Sequence, residues 1–233
     1  RWGRSVMAAY DLEEQEQLAE VKAWWKQYGN LLINILTAAA VIAAAWQGWN
    51  WYQRKQTGEA AAVYGVLQKA VQESNLQAVK QTSGELLEKY PRSSYAPMGA
   101  LSAAKVMADN GDAKTARLQL AWVVDKGKNE VRELARLRLA ALMIDDKEFD
   151  QALKQLEAKP VAGFEARFAD ARGDVLRAQG KASEAVAAYR AAIEALQTAE
   201  KTGRDSMQNW QQQSNAVFRE LLQQKIDALG GVK

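Results

Sequence analysis

Residues 31–51, LLINILTAAAVIAAAWQGWNW, run for 21 positions without a charged side chain. At about 1.5 Å of rise per residue, a helix of that length matches the roughly 30 Å hydrocarbon core of a bilayer. The stretch therefore reads as a membrane span. Trp24, Trp25 and Tyr28 stand before it, and Trp46, Trp49, Trp51 and Tyr52 close it, so five of the eight tryptophans lie where amphipathic rings favour the headgroup boundary. Lys22 and Lys26 on one side and Arg54 and Lys55 on the other have stems long enough to reach the phosphates. Everything beyond residue 56 hangs from this one anchor.

A cleaved signal peptide and a buried core helix are the competing readings. Ala43-Ala44-Ala45 satisfies the small-residue cleavage rule, but the 30 residues before Leu31 hold four basic and five acidic side chains instead of a short positive leader. Length and aromatic clustering disfavour a core helix. Translation from Met7 would make Arg1 to Val6 an upstream remnant, and the acidic stretch 11–20 reads as a short solvated helix. Charge does not orient the span, since Lys22 and Lys26 face Arg54, Lys55 and Lys69 across it.

Six alanines and Asn34 leave the span only moderately apolar. In helical projection Asn34, Thr37, Val41, Ala44, Ala45 and Gly48 share a side, and Ala40, Ala44 and Gly48 form a small-xxx-small run. Small residues let two backbones approach, and Asn or Thr can bond across them. The expected packing face is Asn34, Thr37, Ala40, Ala44 and Gly48, against another protein's helix or a second copy of this chain. Alanine-rich segments also produce such runs by chance.

The part after residue 56 carries 25 basic and 23 acidic side chains, too small an excess for a nucleic-acid footprint. Cysteine and histidine are both absent. Disulfides, thiolate metal sites, cysteine nucleophiles and Ser-His-Asp arrangements are thereby excluded. No Gly-rich phosphate loop or metal-ligand spacing occurs. A non-enzymatic protein without cofactor or metal is the expectation.

From Glu59 the chain alternates helix and breaker: a run to Gln72, then Ser74-Asn75, then a second run to Lys89 stopped by Tyr90-Pro91. After Pro97 a repeat emerges. Ala104, Ala140 and Gly173 are each followed 12 positions later by Ala116, Ala152 and Ala185. Met107, Met143 and Leu176 lie three after the first small residue, and Leu120, Leu156 and Tyr189 lie four after the second. Repeat lengths of 36 and 33 with small residues at helix crossings suit the tetratricopeptide repeat, whose unit is two antiparallel helices of about 34 residues. The expected fold is all-α: one N-terminal membrane helix, a divergent hairpin at 57–96, three tetratricopeptide-like repeats at 97–199, and a capping helix at 204–229. The pair from 59 to 89 does not fit the repeat register.

The first helix of each repeat lines the inner groove of such a solenoid. Leu101, Leu134, Leu137, Ala141 and Ile144 are the expected apolar floor, with Arg167, Asp170, Asp174 and Arg177 at a charged end. A helix or an extended apolar segment suits that surface, from another protein or from a second copy of this chain. The chain's own C-terminal helix is an equal candidate to fill it.

Five further stretches stand out: Val21-Lys22-Ala23-Trp24-Trp25 with Tyr28-Gly29-Asn30, Gly48-Trp49-Asn50-Trp51, Leu137-Arg138-Leu139-Ala140, Ala169-Asp170-Ala171-Arg172-Gly173-Asp174, and Glu220-Leu221-Leu222-Gln223-Gln224-Lys225-Ile226. In these stretches and their order the chain resembles the YfgM family of ancillary Sec translocon subunits. The likeness runs from about residue 20 to 229. It implies a bacterial inner-membrane protein of type II topology, with its repeats in the periplasm. It also implies association with the SecYEG channel and a membrane-anchored periplasmic chaperone of the prolyl-isomerase type, to help hand over emerging proteins. The residues alone equally allow a tethered scaffold for envelope biogenesis or signalling.

Overall fold

The structure, a computed structural model, describes residues 3–201 and 209–230, with side chains described at 22–201 and 214–230. Among the described residues every regular element is an α-helix. The chain divides into two units, Arg1–Gln56 and Thr57–Lys233. Helix α1, Gly3–Gln72, supplies the described part of the first unit and, from residue 57, the first helix of the second.

In the first unit, residues 31–51 are exposed almost throughout, with Leu36 at 63%, Ile42 at 69% and Trp46 at 67%. Exposed apolar area costs about 25 cal/mol per Å² in water and nothing comparable in lipid, so such a helix calls for a bilayer or a partner. It is long and apolar enough to cross one. The rings at its ends cluster along the helix: Trp24 and Tyr28 have centroids 5.8 Å apart, and Trp49 and Tyr52 6.4 Å. Lys55 Nζ lies 5.8 Å from the Trp51 ring centroid.

The second unit continues with α2 (Leu76–Lys89), α3 (Tyr95–Asp109), α4 (Ala113–Lys126), α5 (Asn129–Asp145), α6 (Phe149–Leu156), α7 (Glu165–Ala178), α8 (Ala182–Lys201) and α9 (Asn209–Ala228). The expected start of the last helix at Arg204 lies outside the described residues. Residues 57–72 with α2, then α3 with α4, α5 with α6 and α7 with α8 form four helical hairpins, as the tetratricopeptide pattern requires. Ala104, Ala140, Ala116, Ala152 and Ala185 are all at most 2% exposed, and the bulky Met107, Leu120, Leu156 and Tyr189 are likewise at most 2%. The alternation of size along the sequence is thus the packing code of the core.

Each hairpin turns by the same device. A residue of positive φ follows the first helix: Ser74 (53°), Gly111 (80°), Lys147 (60°) and Gly180 (78°). The next amide reaches back to a carbonyl five residues earlier: Asn75 to Ala70, Asp112 to Met107, Glu148 to Met143 and Lys181 to Leu176. This Schellman closure satisfies carbonyls that the helix end leaves open.

The same closure aligns the pair from 59 to 89 with the other hairpins, while its residues depart from their size pattern. There Leu67 occupies the position of the small residues and Ala70 that of Met107 and Met143, while Ser83 replaces the bulky side chain of the second helix. All three are buried, Leu67 and Ser83 fully so and Ala70 at 4%. Volume is exchanged within the first helix, and Gln119 of α4 fills the space beside Ser83, donating to its hydroxyl at 3.3 Å.

Charge links successive hairpins. Lys80 of α2 meets Asp112 at 2.5 Å, and Arg117 of α4 meets Asp146 at 2.6 Å and Glu148 at 2.5 Å. At the third junction Leu153 takes the equivalent place, and Arg172 instead donates to the Leu156 carbonyl at 3.1 Å. Asp112 also caps α4, accepting from the Thr115 amide at 3.1 Å. Its bonds to Lys80 and Thr115 hold its carboxyl down to about 2. A depressed carboxyl lends stability above its unfolded value and loses it as pH falls through the folded one. Asp112→Asn keeps a capping oxygen but drops the charge, so the variant is expected to be less stable at neutral pH. Denaturation midpoints of the two chains should converge between about pH 4 and 2.

Candidate partner-binding groove

The expected groove residues fall into two cavities of the second unit. One, of about 1010 Å³, is lined by Leu137, Ala141 and Ile144 of α5, by Arg167, Asp170 and Asp174 of α7, and by Val217, Phe218 and Leu221 of α9. The other, of about 570 Å³, contains Leu101 of α3 and Leu134 of α5, with Tyr64, Val71, Met98 and Arg138 around them. Arg177 lines neither of these and sits 3.7 Å from Asp174 on the exposed side of α7. Arg167 is exposed as well.

Described residues of α9 wall the larger cavity. Among its described side chains Leu222 and Ile226 are buried, joined to Ala166 and Ala169 of α7 and to Tyr189 and Ala192 of α8. Its polar clamp is Lys225, whose Nζ donates to Asp170 Oδ1 at 2.6 Å and to both oxygens of Asp174 at 2.9 Å. The same ammonium stands 5.2 Å from the Tyr189 ring centroid. Tyr189 in turn donates its hydroxyl to Asp174 Oδ1 at 2.8 Å.

Burial dominates this cluster electrically. It raises the Asp170 carboxyl above its ordinary value even though Lys225 pulls the other way, and burial together with Asp174 pushes the Tyr189 phenol up. In the smaller cavity, burial lowers the Arg138 guanidinium. A half-buried charge bears part of the desolvation cost that an exposed one escapes.

Sequence reasoning missed Tyr64, Val71, Met98 and Arg138 in the smaller cavity, and it offered the C-terminal helix at the groove without naming the residues Val217, Phe218 and Leu221 that line the larger one. Tyr64 and Val71 belong to the hairpin thought to be out of register. Arg138 and Lys225 lay within stretches singled out above for other reasons. Among the described residues, no group of three or more Asp and Glu is placed to hold a metal ion.

The proposed face of the span is open in the structure. Asn34, Ala40 and Ala44 are exposed, and a side chain at Gly48 would meet nothing within 4 Å. Thr37 donates its hydroxyl to the Ile33 carbonyl at 2.7 Å, which leaves its oxygen as an acceptor only. Near the start of the span, Gly29 is buried beneath the Trp25 ring, whose atoms lie 3.2 Å from where a Cβ would stand.

Comparison with known proteins covers the anchor and the hairpins together. The tetratricopeptide repeat-like domain family matches residues 22–231. An ancillary SecYEG translocon subunit of Neisseria gonorrhoeae is 33% identical over 228 residues, spanning 96% of this chain and 100% of that protein. Proteins of the same name from Haemophilus influenzae and Escherichia coli are 28% and 27% identical over 173 and 183 residues, covering 74% and 77% of this chain and 84% and 87% of theirs. Among solved structures, the MamA RS-1 ArsTM double mutant overlays 72% of this chain and 97% of its own with 17% identity and a TM-score of 0.44, too loosely to carry an argument. With its helical hairpins in place and 96% of its length matched, this chain belongs to the family of ancillary SecYEG translocon subunits, and residues 22–231 form its tetratricopeptide repeat-like domain.

Proposed function

We propose that this chain is a non-enzymatic, membrane-anchored adaptor of the Sec translocon. The span docks sideways onto the channel through Asn34, Thr37, Ala40, Ala44 and Gly48, with Trp24, Trp25, Trp46, Trp49 and Trp51 holding it at depth. The groove of the repeats receives a periplasmic chaperone of the membrane-anchored prolyl-isomerase type or a chain emerging from the channel. The topology is type II, with residues before the span in the cytoplasm and the repeats in the periplasm. The observation that carries the reading is the match with the Neisseria subunit, which spans 96% of this chain, its apolar helix and its hairpins included, and 100% of that protein.

Copurification from gently solubilised native membranes tests it. Translocase subunits are expected to come down with the intact chain, and recovery without any of them overturns the reading. Replacing Ala44 and Gly48 together by Leu separates helix faces that now permit close approach, and is expected to cut recovery by about tenfold. Unchanged recovery places the docking face elsewhere.

A further inference from the structure

Arg138 brings a charge into its cavity that no carboxylate there balances. It lies half-buried on α5 beside Leu101, Leu134, Met98 and Val106, all apolar. A guanidinium has five N–H groups, and among the described residues its one recorded partner is the Leu101 carbonyl, at 3.0 Å. The other cation of the lining, Lys105, is closed onto Asp109 at 2.7 Å. The lining is therefore left with one unmatched positive charge.

The other half-buried arginines of the domain differ in a telling way. Arg117 is neutralised by Asp146 and Glu148, and Arg136 stands 3.5 Å from Glu133. Arg132 and Arg172 also donate to carbonyls, but to Gly127 just beyond α4 and to Leu156 at the end of α6, where helix ends leave acceptors open. Leu101 lies within α3, where carbonyls already serve the helix. Arg138 is thus neither a cap nor half of an ion pair. Burying a cation costs desolvation that only an opposite charge recovers well, and a planar guanidinium suits a carboxylate in two-point contact.

Resting on the reading that the groove is a docking surface, we propose that the cavity between α3 and α5 seats an acidic side chain. That Asp or Glu is presented from within an apolar stretch of a partner polypeptide, and Arg138 is its counter-ion. The apolar walls take the flanking residues, and exposed Met98 offers an adaptable lip.

The test places a photoreactive amino acid at Leu134 or, in a second protein, at Ile144 of the larger cavity, each in the full chain in native membranes. Adducts are compared for Arg138, R138Q and R138K, and the crosslinked peptide is mapped by mass spectrometry. At Leu134 the yield is expected to fall about tenfold in R138Q and to survive largely in R138K, while adducts at Ile144 are unchanged. The mapped segment should carry Asp or Glu within one helical turn of the crosslinked atom. Insensitivity to R138Q overturns the proposal, as does a mapped segment that is neutral, basic or a free C-terminus. Mapping in the unaltered Arg138 background decides the matter even if R138Q folds poorly. Adducts at Ile144 alone sink this proposal and leave docking standing, whereas none at either position sinks both.

Discussion

Gly173→Leu is expected to lower the thermal midpoint of the repeat domain by roughly 6–12 °C, the largest single-site effect in α7. A Cβ at this position would stand 2.4 Å from Tyr189 Cε1, 2.6 Å from Cδ1 and 3.0 Å from Cζ. The ring has nowhere to go. It is fully buried, its hydroxyl is committed to Asp174, and Lys225 stands near its face. Overpacking of this kind costs about 1–3 kcal/mol for small insertions, and Leu adds three further carbons beyond Cβ. Gly173→Ala gains about 1 kcal/mol of helix propensity against the same clash, so its net loss is smaller. Gly84→Ala in α2 is the control, since nothing lies within 4 Å of its Cβ, and it should be neutral or stabilising by up to about 1 kcal/mol. Thermal unfolding of the full chain in detergent, followed by helical circular dichroism, gives the comparison. Equal midpoints for Gly173→Ala and Gly84→Ala would show that the α7–α8 crossing is looser than its geometry says.

Gly173 was legible in the sequence because its role repeats. Ala104 and Ala140 mark the same crossing, and spacing to a second small residue and two bulky ones is a one-dimensional signal. The first hairpin hid because its volumes are exchanged: Leu67, Ala70 and Ser83 satisfy the same space with sizes reversed, and a search for small residues passes over them. Its turn was legible as the breaker Ser74-Asn75, although Ser74 adopts the positive φ for which glycine is the usual signal. Lys147 does the same in the third hairpin. The shared amide-to-carbonyl closure, visible only in three dimensions, reveals the register. The groove was legible as a list of inward positions but not as two cavities. That division depends on how α3, α5 and α7 pack and on where α9 folds back, and no local pattern encodes the place of α9. Its link to α7 rests on Lys225 meeting Asp170 and Asp174, a pairing across 55 and 51 positions.

Lys225→Met is accordingly expected to release α9 while leaving the remaining hairpins folded. Methionine keeps much of the length and apolar stem of lysine but removes the ammonium, so Asp170 and Asp174 face each other one helical turn apart with their shared cation gone. Removing one partner from a fully buried ion pair costs about 3–5 kcal/mol. Here the side chains are 17% exposed for Lys225 and Asp170 and 30% for Asp174, so solvent reduces the loss to about 2 kcal/mol. That is a large share of what holds α9, whose described side chains bury only Leu222 and Ile226 deeply. Repeat arrays are stabilised between neighbours, so the damage should stay at one end. Amide exchange should speed up across α9 and change little from α3 to α6. The pH dependence has a definite sign. A carboxyl whose folded value is raised contributes stability that is fully present below its unfolded value and lost as pH rises through the folded one. Asp170 is already raised, and without Lys225 it rises further, so the deficit of the variant should be greatest at neutral pH and shrink toward the ordinary aspartate value of 3.8. Loss of protection shared equally by α3 to α6 would mean that α9 is part of one cooperative core. Loss confined to α9 would make it a separable wall of the larger cavity, able to open without unfolding the rest.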